Sequence, residues 1–574
     1  MQKPLFLIII IFLLPFRLSS QTIYPQNDFR SPVDSTLILA GNYGEIRPNH
    51  FHAGFDIKTN NKEGMPVYAI ADGYISRIKI SAFGYGKAIY ITHKNGYTSV
   101  YGHLKCFEGA IQSLTANIQS FEQSYEIDTI FSPSVLQIKK SELIGLSGNT
   151  GGSQGPHLHF EIRDSKTEMP INPYFFGFII ADTVKPRISQ IAIYPIGKNA
   201  VINGKNESKK IAPIYKKGKY TFLKTDTISV YGDIGIGIEC YDTETNSTNK
   251  NSVFSVELQS GGKRIYYHEM EKFTFENARY VNAHIDYESK QKHGTQIQKC
   301  FLSKNNKLGI YKDVVNKGVL NLSDDSTHWI KYIVKDYYGN TTELMLKVKS
   351  VPFKTAKEVE ENKQKTYDCF IENKYNSEEL NVTIPAYALY DDVVFTTKKA
   401  GSVAGTFSPL YQIMNTETAL QKAVSISIRA IRLADSLQNK ACIVSVNDKG
   451  KKTYEGGIYK DGWVNTESKT FGSFAISIDT IAPKIKPAFK IIKDKIPNIG
   501  KSKTIGILVS DNLSGIKKYR ATIDGKWVLC EYEFKKNLVF YTFDDTIIPG
   551  IHQFKIEVCD DKENSSTLIF IFKR

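Results

Sequence analysis

Gly155-Pro156-His157-Leu158-His159-Phe160-Glu161 is the stretch that decides how the first third of the chain is read. In an extended strand, residues two apart share a face, so His157 and His159 point one way while Leu158 and Phe160 enter the opposite core. Two further stretches belong with it. His52-Ala53-Gly54-Phe55-Asp56 spaces an imidazole and a carboxylate so that both can converge on one point, and Val100-Tyr101-Gly102-His103-Leu104 adds a further imidazole. Six of the 11 histidines (His50, His52, His93, His103, His157, His159) fall between residues 50 and 159. Two imidazoles and one carboxylate closing on a metal leave a fourth position for water, the arrangement of a catalytic zinc site and not a structural one. Zinc there would bring the pKa of its water to about 7. Taken singly, the elements are weak: an HxH pair in a strand is more often packed or solvated than ligating, and HxxxD recurs by chance. Their joint occurrence carries the reading.

Around these stretches the pattern is all-β. Short apolar or alternating runs at 67–70, 74–80, 88–92, 99–103 and 158–162 are separated by Gly and Asn turns. A groove over an antiparallel sheet would suit an extended peptide.

The three stretches occur in order and are joined by Glu63-Gly-Met-Pro-Val-Tyr-Ala69, Ala71-Asp-Gly73, Gly84-Tyr-Gly86 and Leu146-Ser-Gly-Asn-Thr-Gly-Gly152. Together they resemble the lysostaphin/LytM-type zinc metallopeptidases over roughly residues 40 to 175. The resemblance implies an antiparallel β peptidase domain, one Zn²⁺ per chain, and a metal-bound water attacking peptide cross-links of bacterial peptidoglycan. Carried over by position, it implies His52, Asp56 and His159 as metal ligands and His103 and His157 as catalytic residues. One of that pair would act as general base and the other would bond the developing oxyanion or leaving amine. His157 is favoured as the base, because its neighbour two residues on is a ligand. His50 and His93 stay outside the set. A stretch of about 105–139 between His103 and His157 is longer than compact members need; a helical period around Leu114, Ile118 and Phe121 runs through it. It borders the groove, lies across it as a lid, or is a packed surface excursion without function.

The rest of the chain reads as modules. Asp182-Thr-Val-Lys-Pro-Arg-Ile188 and Asp479-Thr-Ile-Ala-Pro-Lys-Ile485 share DTxxP[KR]I. Downstream of each, Val334-Lys-Asp336-Tyr-Tyr-Gly-Asn340 and Val558-Cys-Asp560-Asp-Lys-Glu-Asn564 recur in the same order. Proline-marked entry, an Asx turn between closing strands and a length of about 100 residues are the grammar of an immunoglobulin-like sandwich. The expected division is a signal peptide at 1–20, a metallopeptidase domain at 22–180, an immunoglobulin-like sandwich with an insertion at 181–351, a β-rich module at 352–478 after the charged linker 354–365, and a C-terminal sandwich at 479–574.

Lys3 before the apolar run Leu5 to Leu14, then Pro15, Arg17, Ser19 and Ser20, has the layout of a secretory signal. That run is too short to span a bilayer, which takes about 20 residues. With no transmembrane segment and no lipid-accepting Cys near the cleavage point, the expected location is periplasmic or secreted. Seven scattered cysteines do not make a disulfide scaffold; buried thiols are expected, with Cys530 and Cys559 the one plausible pair. The formal charge of +15 is not spread evenly. Residues 22–180 hold 13 basic and 14 acidic residues, so the excess lies in the modules. Those could hold an anionic envelope polymer, although dispersed lysine on solvated strands is the plainer reading. No nucleic-acid partner is expected for a secreted chain with no recognition motif. The leading function is a peptidoglycan endopeptidase acting on peptide stems; the alternative is a non-catalytic LytM-like adaptor that positions or activates another wall hydrolase.

Overall fold

The computed structural model describes residues 23–222, 227–245, 247–352, 365–431, 433–490, 496–500 and 502–574. The expected signal segment at 1–20 and nearly all of the linker 354–365 lie outside them. The fold is all-β, as the alternation requires.

In the N-terminal domain, β1 (Phe55–Lys58), β2 (Gly73–Ile80), β3 (Lys87–His93), β4 (Tyr97–Gly102) and β5 (His157–Asp164) form the heart of a nine-stranded sheet in the order β1-β5-β4-β3-β2. Every pairing along it is antiparallel. The central strand β5 is buried on both faces, but the two faces differ in chemistry. Leu158, Phe160 and Ile162 enter the apolar core with Phe55, Ile57, Ile75, Ile78, Ile89 and Ile91. His159, Glu161 and Arg163 are buried on the other face.

Register follows from one close approach. Phe160 pairs with Phe55 and His159 with Asp56, and a Cβ at Gly54 would stand 2.2 Å from the Phe160 carbonyl oxygen. Only glycine lets β1 lie this close to β5.

The long stretch between His103 and His157 contains α1 (Gly109–Glu122). Its buried face is Ile111, Thr115 and Gln119, with Leu114 and Ile118 partly covered. The expected period placed Phe121 with them, yet it is 90% exposed, because the buried stripe runs at i, i+4, i+8 from Ile111.

Downstream, β6 (Arg187–Pro195), β7 (Ile228–Tyr241), β8 (Thr327–Lys335) and β9 (Thr341–Ser350) belong to an eleven-stranded assembly. The 14-residue β7 pairs antiparallel with β6 and, at its start, parallel with β9. Residues 373–478 form two five-stranded sheets. The last module stacks two four-stranded sheets, one containing β10 (Thr504–Ser510), the other β11 (Ile551–Asp560) and β12 (Ser565–Lys573). Between them alternate residues Ile505, Ile507 and Val509 meet Phe554, Ile556 and Val558. The Cys530–Cys559 disulfide does not form: the two residues sit on opposite sheets, and all seven cysteines are free thiols.

The modules are not beads on a string. The elaboration of the first one packs Met270, Phe273, Tyr280 and Val281 into the core of the N-terminal domain, with Phe273 stacked 5.1 Å from Tyr43 and 5.6 Å from Phe51. Gly54→Ala should lower the stability of the N-terminal domain by about 3 kcal/mol through overpacking. Gly155→Ala, where a Cβ meets nothing within 4 Å, should stay within about 0.5 kcal/mol; calorimetric unfolding of the full chain distinguishes the two.

Candidate metal centre

The register that brings Asp56 opposite His159 also sets Gly102 opposite His159 on its other side. Asp56, His159 and Gly102 therefore lie in a row across the sheet, and the residue after Gly102 leaves the strand beside them. That residue, His103, has φ +59°. A left-handed non-glycine residue costs about 1–2 kcal/mol, and here it turns the chain off β4 at the site. His52 arrives from a loop pinned by His52 N to Glu45 O at 2.8 Å and by Gly44 N to His52 O at 2.9 Å.

His52 Nε2, Asp56 Oδ1 and His159 Nδ1 are mutually 3.0, 2.9 and 3.1 Å apart. The outer nitrogens fix the tautomers. His52 Nδ1 lies 2.7 Å from the carbonyl oxygen of Asn42, which can only accept, and His159 Nε2 lies 2.7 Å from the Glu161 carboxylate. Each ring thus carries its proton outward and turns a lone pair inward. Three acceptors this close repel one another until a cation lies among them, so the donor set fits a metal ion with nitrogen and oxygen ligands. Burial works against a charge on His159, yet Asp56 and Glu161 raise it to about 9. The two carboxylates therefore favour a cation at this point, and a proton on His159 Nδ1 gives way when that nitrogen ligates a metal.

The support extends outward. Arg47 Nη2 bonds Asp56 Oδ2 at 2.6 Å. Glu161 is fully buried and bonded by Arg163 Nε at 2.7 Å and by the Tyr85 hydroxyl. Burial opposes its charge, but Arg163 and His159 hold it down at about 2. None of Arg47, Tyr85, Glu161 or Arg163 was singled out in the sequence. The alternation that put His157 and His159 on one face continues to Glu161 and Arg163 and could have found both.

His103 and His157 stand beside the trio, their rings 4.8 Å apart. His103 Nδ1 donates to Thr150 O at 2.8 Å, and His157 Nδ1 to Gly155 O at 2.8 Å. Both keep a bare Nε2, and that of His157 is 3.3 Å from Asp56 Oδ1. Burial, with His159 and His157 nearby, pushes His103 down to about 3, so it is a neutral base at ordinary pH. His50 is exposed and bonded to Pro48 O; His93 is buried against Asp72 O and Ser99 Oγ, away from the trio.

The C-terminal module reaches this region. Lys535 Nζ donates to Asn149 O and Ser153 O of the loop that also supplies Thr150 O, and Lys87 pairs with Glu531 at 2.7 Å. A cleft of about 960 Å³ opens between Lys105, Glu108 and Gln112 on one side and Phe489, Glu533 and Phe540 on the other. The stretch before and within α1 thus borders a cleft.

Residues 364–479 match the Zu5-like domain, and residues 50–113 match peptidase family M23. An uncharacterised metalloprotease of Haemophilus influenzae is 36% identical over 118 residues, 21% of this chain and 19% of that protein. The DD-carboxypeptidase/endopeptidase Mpg of Neisseria meningitidis serogroup B is 34% identical over 122 residues, 21% of this chain and 22% of its own length. The peptidoglycan DD-endopeptidase ShyA of Vibrio cholerae is 28% identical over 139 residues, 23% of this chain and 26% of its own length. The chain thus spans a quarter or less of most of these relatives, and each match takes in 21–23% of this chain. The part of the N-terminal domain that carries His52, Asp56 and His103 is thus similar to peptidase family M23.

Proposed function

We propose that the chain is a zinc endopeptidase of the cell envelope that hydrolyses peptide cross-links of peptidoglycan. The observation that carries it is the convergence of His52 Nε2, Asp56 Oδ1 and His159 Nδ1, beside two histidines with bare Nε2 atoms. The substrate class rests on the named relatives, one a DD-carboxypeptidase/endopeptidase and one a peptidoglycan DD-endopeptidase by name. The absence of a long apolar helix among the described residues is compatible with an extracytoplasmic location.

Zinc held by those three atoms would supply Lewis acidity at the scissile carbonyl and an acidified water. The chain's own residues supply the rest. Arg47 anchors Asp56, and Glu161 holds the His159 ring and raises its basicity. His157 Nε2, the nearer to Asp56, takes a proton from the attacking water. His157 then hands that proton to the leaving amine, with His103 as the second base of the pair, its ring 4.8 Å away. The cleft beside α1 would accept an extended peptide. The adaptor reading draws support from Lys535, which seats a second module on the site's loop, and from Glu531, which pairs with Lys87 at the start of β3.

His159→Ala and Asp56→Ala should each lose both bound zinc, measured by elemental analysis, and muropeptide release, measured by mass spectrometry. His157→Ala should keep about one zinc and lose roughly 10²- to 10⁴-fold in turnover. Full activity in the first two would refute the assignment. Wild-type protein holding zinc yet yielding no chelator-sensitive products would support the adaptor.

Glu161→Gln keeps every ligand but weakens the hold on His159. Zinc affinity should fall about 10- to 100-fold, read by competition with a chromophoric chelator.

A further inference from the structure

The two copies of the repeated motif meet the same fate in space. Asp182, Asp242 and Asp336 gather at the start of the first module, and Asp479, Asp511 and Asp560 at the start of the last, each trio offering oxygens within 4.8 Å of one another. Two members of each trio are the motif aspartates. The third is the residue directly after a long strand, β7 for Asp242 and β10 for Asp511. The pinning asparagine is repeated as well. Asn340 Nδ2 donates to Asp336 Oδ2 at 2.6 Å and to Asp182 O at 3.4 Å; Asn564 Nδ2 donates to Asp560 Oδ2 at 2.7 Å and to Asp479 O at 3.0 Å.

Acidic clusters on their own mean little, but in each of these one carboxylate keeps a buried oxygen with no donor, and the donors the other carboxylates have are backbone N–H and asparagine amide groups. Asp242 is 4% exposed, and its Oδ1 is buried with no hydrogen-bond partner; Asp511 is half-buried, with Oδ2 accepting from Leu513 N and Gly515 N and Oδ1 likewise buried without a partner. Each trio has a further orphaned oxygen nearby in the chain. Asn251 Oδ1 belongs to a residue 2% exposed and joined to Asp242 by two backbone bonds of 2.9 Å, and Ser514 Oγ to a residue whose N–H bonds Asp479 Oδ2 at 2.9 Å. Among the described residues no Lys, Arg or His pairs with any of the six carboxylates. Lys562, the lysine near the second trio, spends its Nζ on Gly457 O. Burial, with Asp182 and Asp336 alongside, pushes the Asp242 carboxyl up to about 8, which gauges the repulsion in the first trio. An unpaired buried carboxylate costs several kcal/mol, and the same arrangement arises at both junctions.

We propose that each trio binds a calcium ion. The donors are oxygens alone, which selects a hard cation over the nitrogen-preferring metal of the peptidase site. Oxygens spread over up to 4.8 Å suit the 2.3–2.6 Å radius of calcium coordination. Magnesium needs a tighter octahedron, usually with several retained waters. Each ion ties the entry strand of its module to that module's far strands at a seam with the preceding unit. At the first seam Glu244 accepts Leu39 N and Tyr174 OH from the peptidase domain; at the second Asp479 N donates to Lys440 O.

The test is equilibrium dialysis of the full chain, stripped with chelator and reloaded with zinc, against about 1 mM calcium, where extracellular modules saturate. The wild type should bind two calcium ions, Asp242→Asn and Asp511→Asn one each, and the double variant none. The exposed control Asp324→Asn should bind two. Calcium should raise the thermal midpoint of the wild type and leave that of the double variant unmoved. A wild type that binds no calcium needs no variant to overturn the proposal; two ions in a folded double variant overturn it as well. Magnesium bound to the same stoichiometry would overturn the choice of ion.

Discussion

Strand β5 lies between β1 and β4 in a register where His159 faces Asp56 on one side and Gly102 on the other, and the site depends on that register. A slip of one residue would exchange the faces, placing Leu158 and Phe160 where the histidines stand. The register is held from both directions: by the apolar face, whose Phe160 must enter the core with Phe55, and by Gly54, whose missing side chain permits the approach. With one face of the sheet committed to apolar packing, the other can bury charge only in satisfied pairs. His159, Glu161 and Arg163 form such a chain, with Tyr85 closing it. Any metal ligand on this face is thereby held in orientation before a metal arrives.

The same economy explains why the site sits against other modules. The loop bearing His52 is short and flanked by Tyr43 and Phe51, and those rings are covered by Phe273 from the first module. The loop bearing Thr150 and Ser153 supports His103 and His157 through backbone carbonyls and in turn receives Lys535 from the last module. Both loops that position catalytic-type residues are braced from outside the domain. The position of the modules is therefore a variable of the site itself as well as of targeting.

The sequence disclosed what alternation and spacing encode. HxH fixed a strand, HxxxD a converging pair, and the repeated DTxxP[KR]I two related modules. It did not disclose features that depend on approach between distant segments. Gly54 is an ordinary glycine until Phe160 is placed across from it, and Arg47 becomes the anchor of Asp56 only through the turn that precedes His52. The elaboration of the first module read as an insertion and proves to be the dock for the peptidase core. Phe121 was misplaced because the helical period was read from bulky residues, whereas the buried stripe includes Thr115 and Gln119, which bond Ile111 O and Tyr125 O. Glu161 and Arg163 were within reach, since they continue the face of His157 and His159.

Two kinds of metal chemistry are then separated along one chain. The N-terminal trio pairs imidazole with carboxylate and sits beside two histidines with bare nitrogens. The aspartate trios offer only oxygen, lie at seams between modules, and have no base beside them. Donor hardness alone would sort a borderline metal to the first and a hard one to the others. Because the seams set where the last module stands, and Lys535 of that module bonds the loop that supports His103 and His157, an ion at a seam acts on the site through rigid placement. It changes how tightly the supporting loop is held while leaving the ligand set untouched.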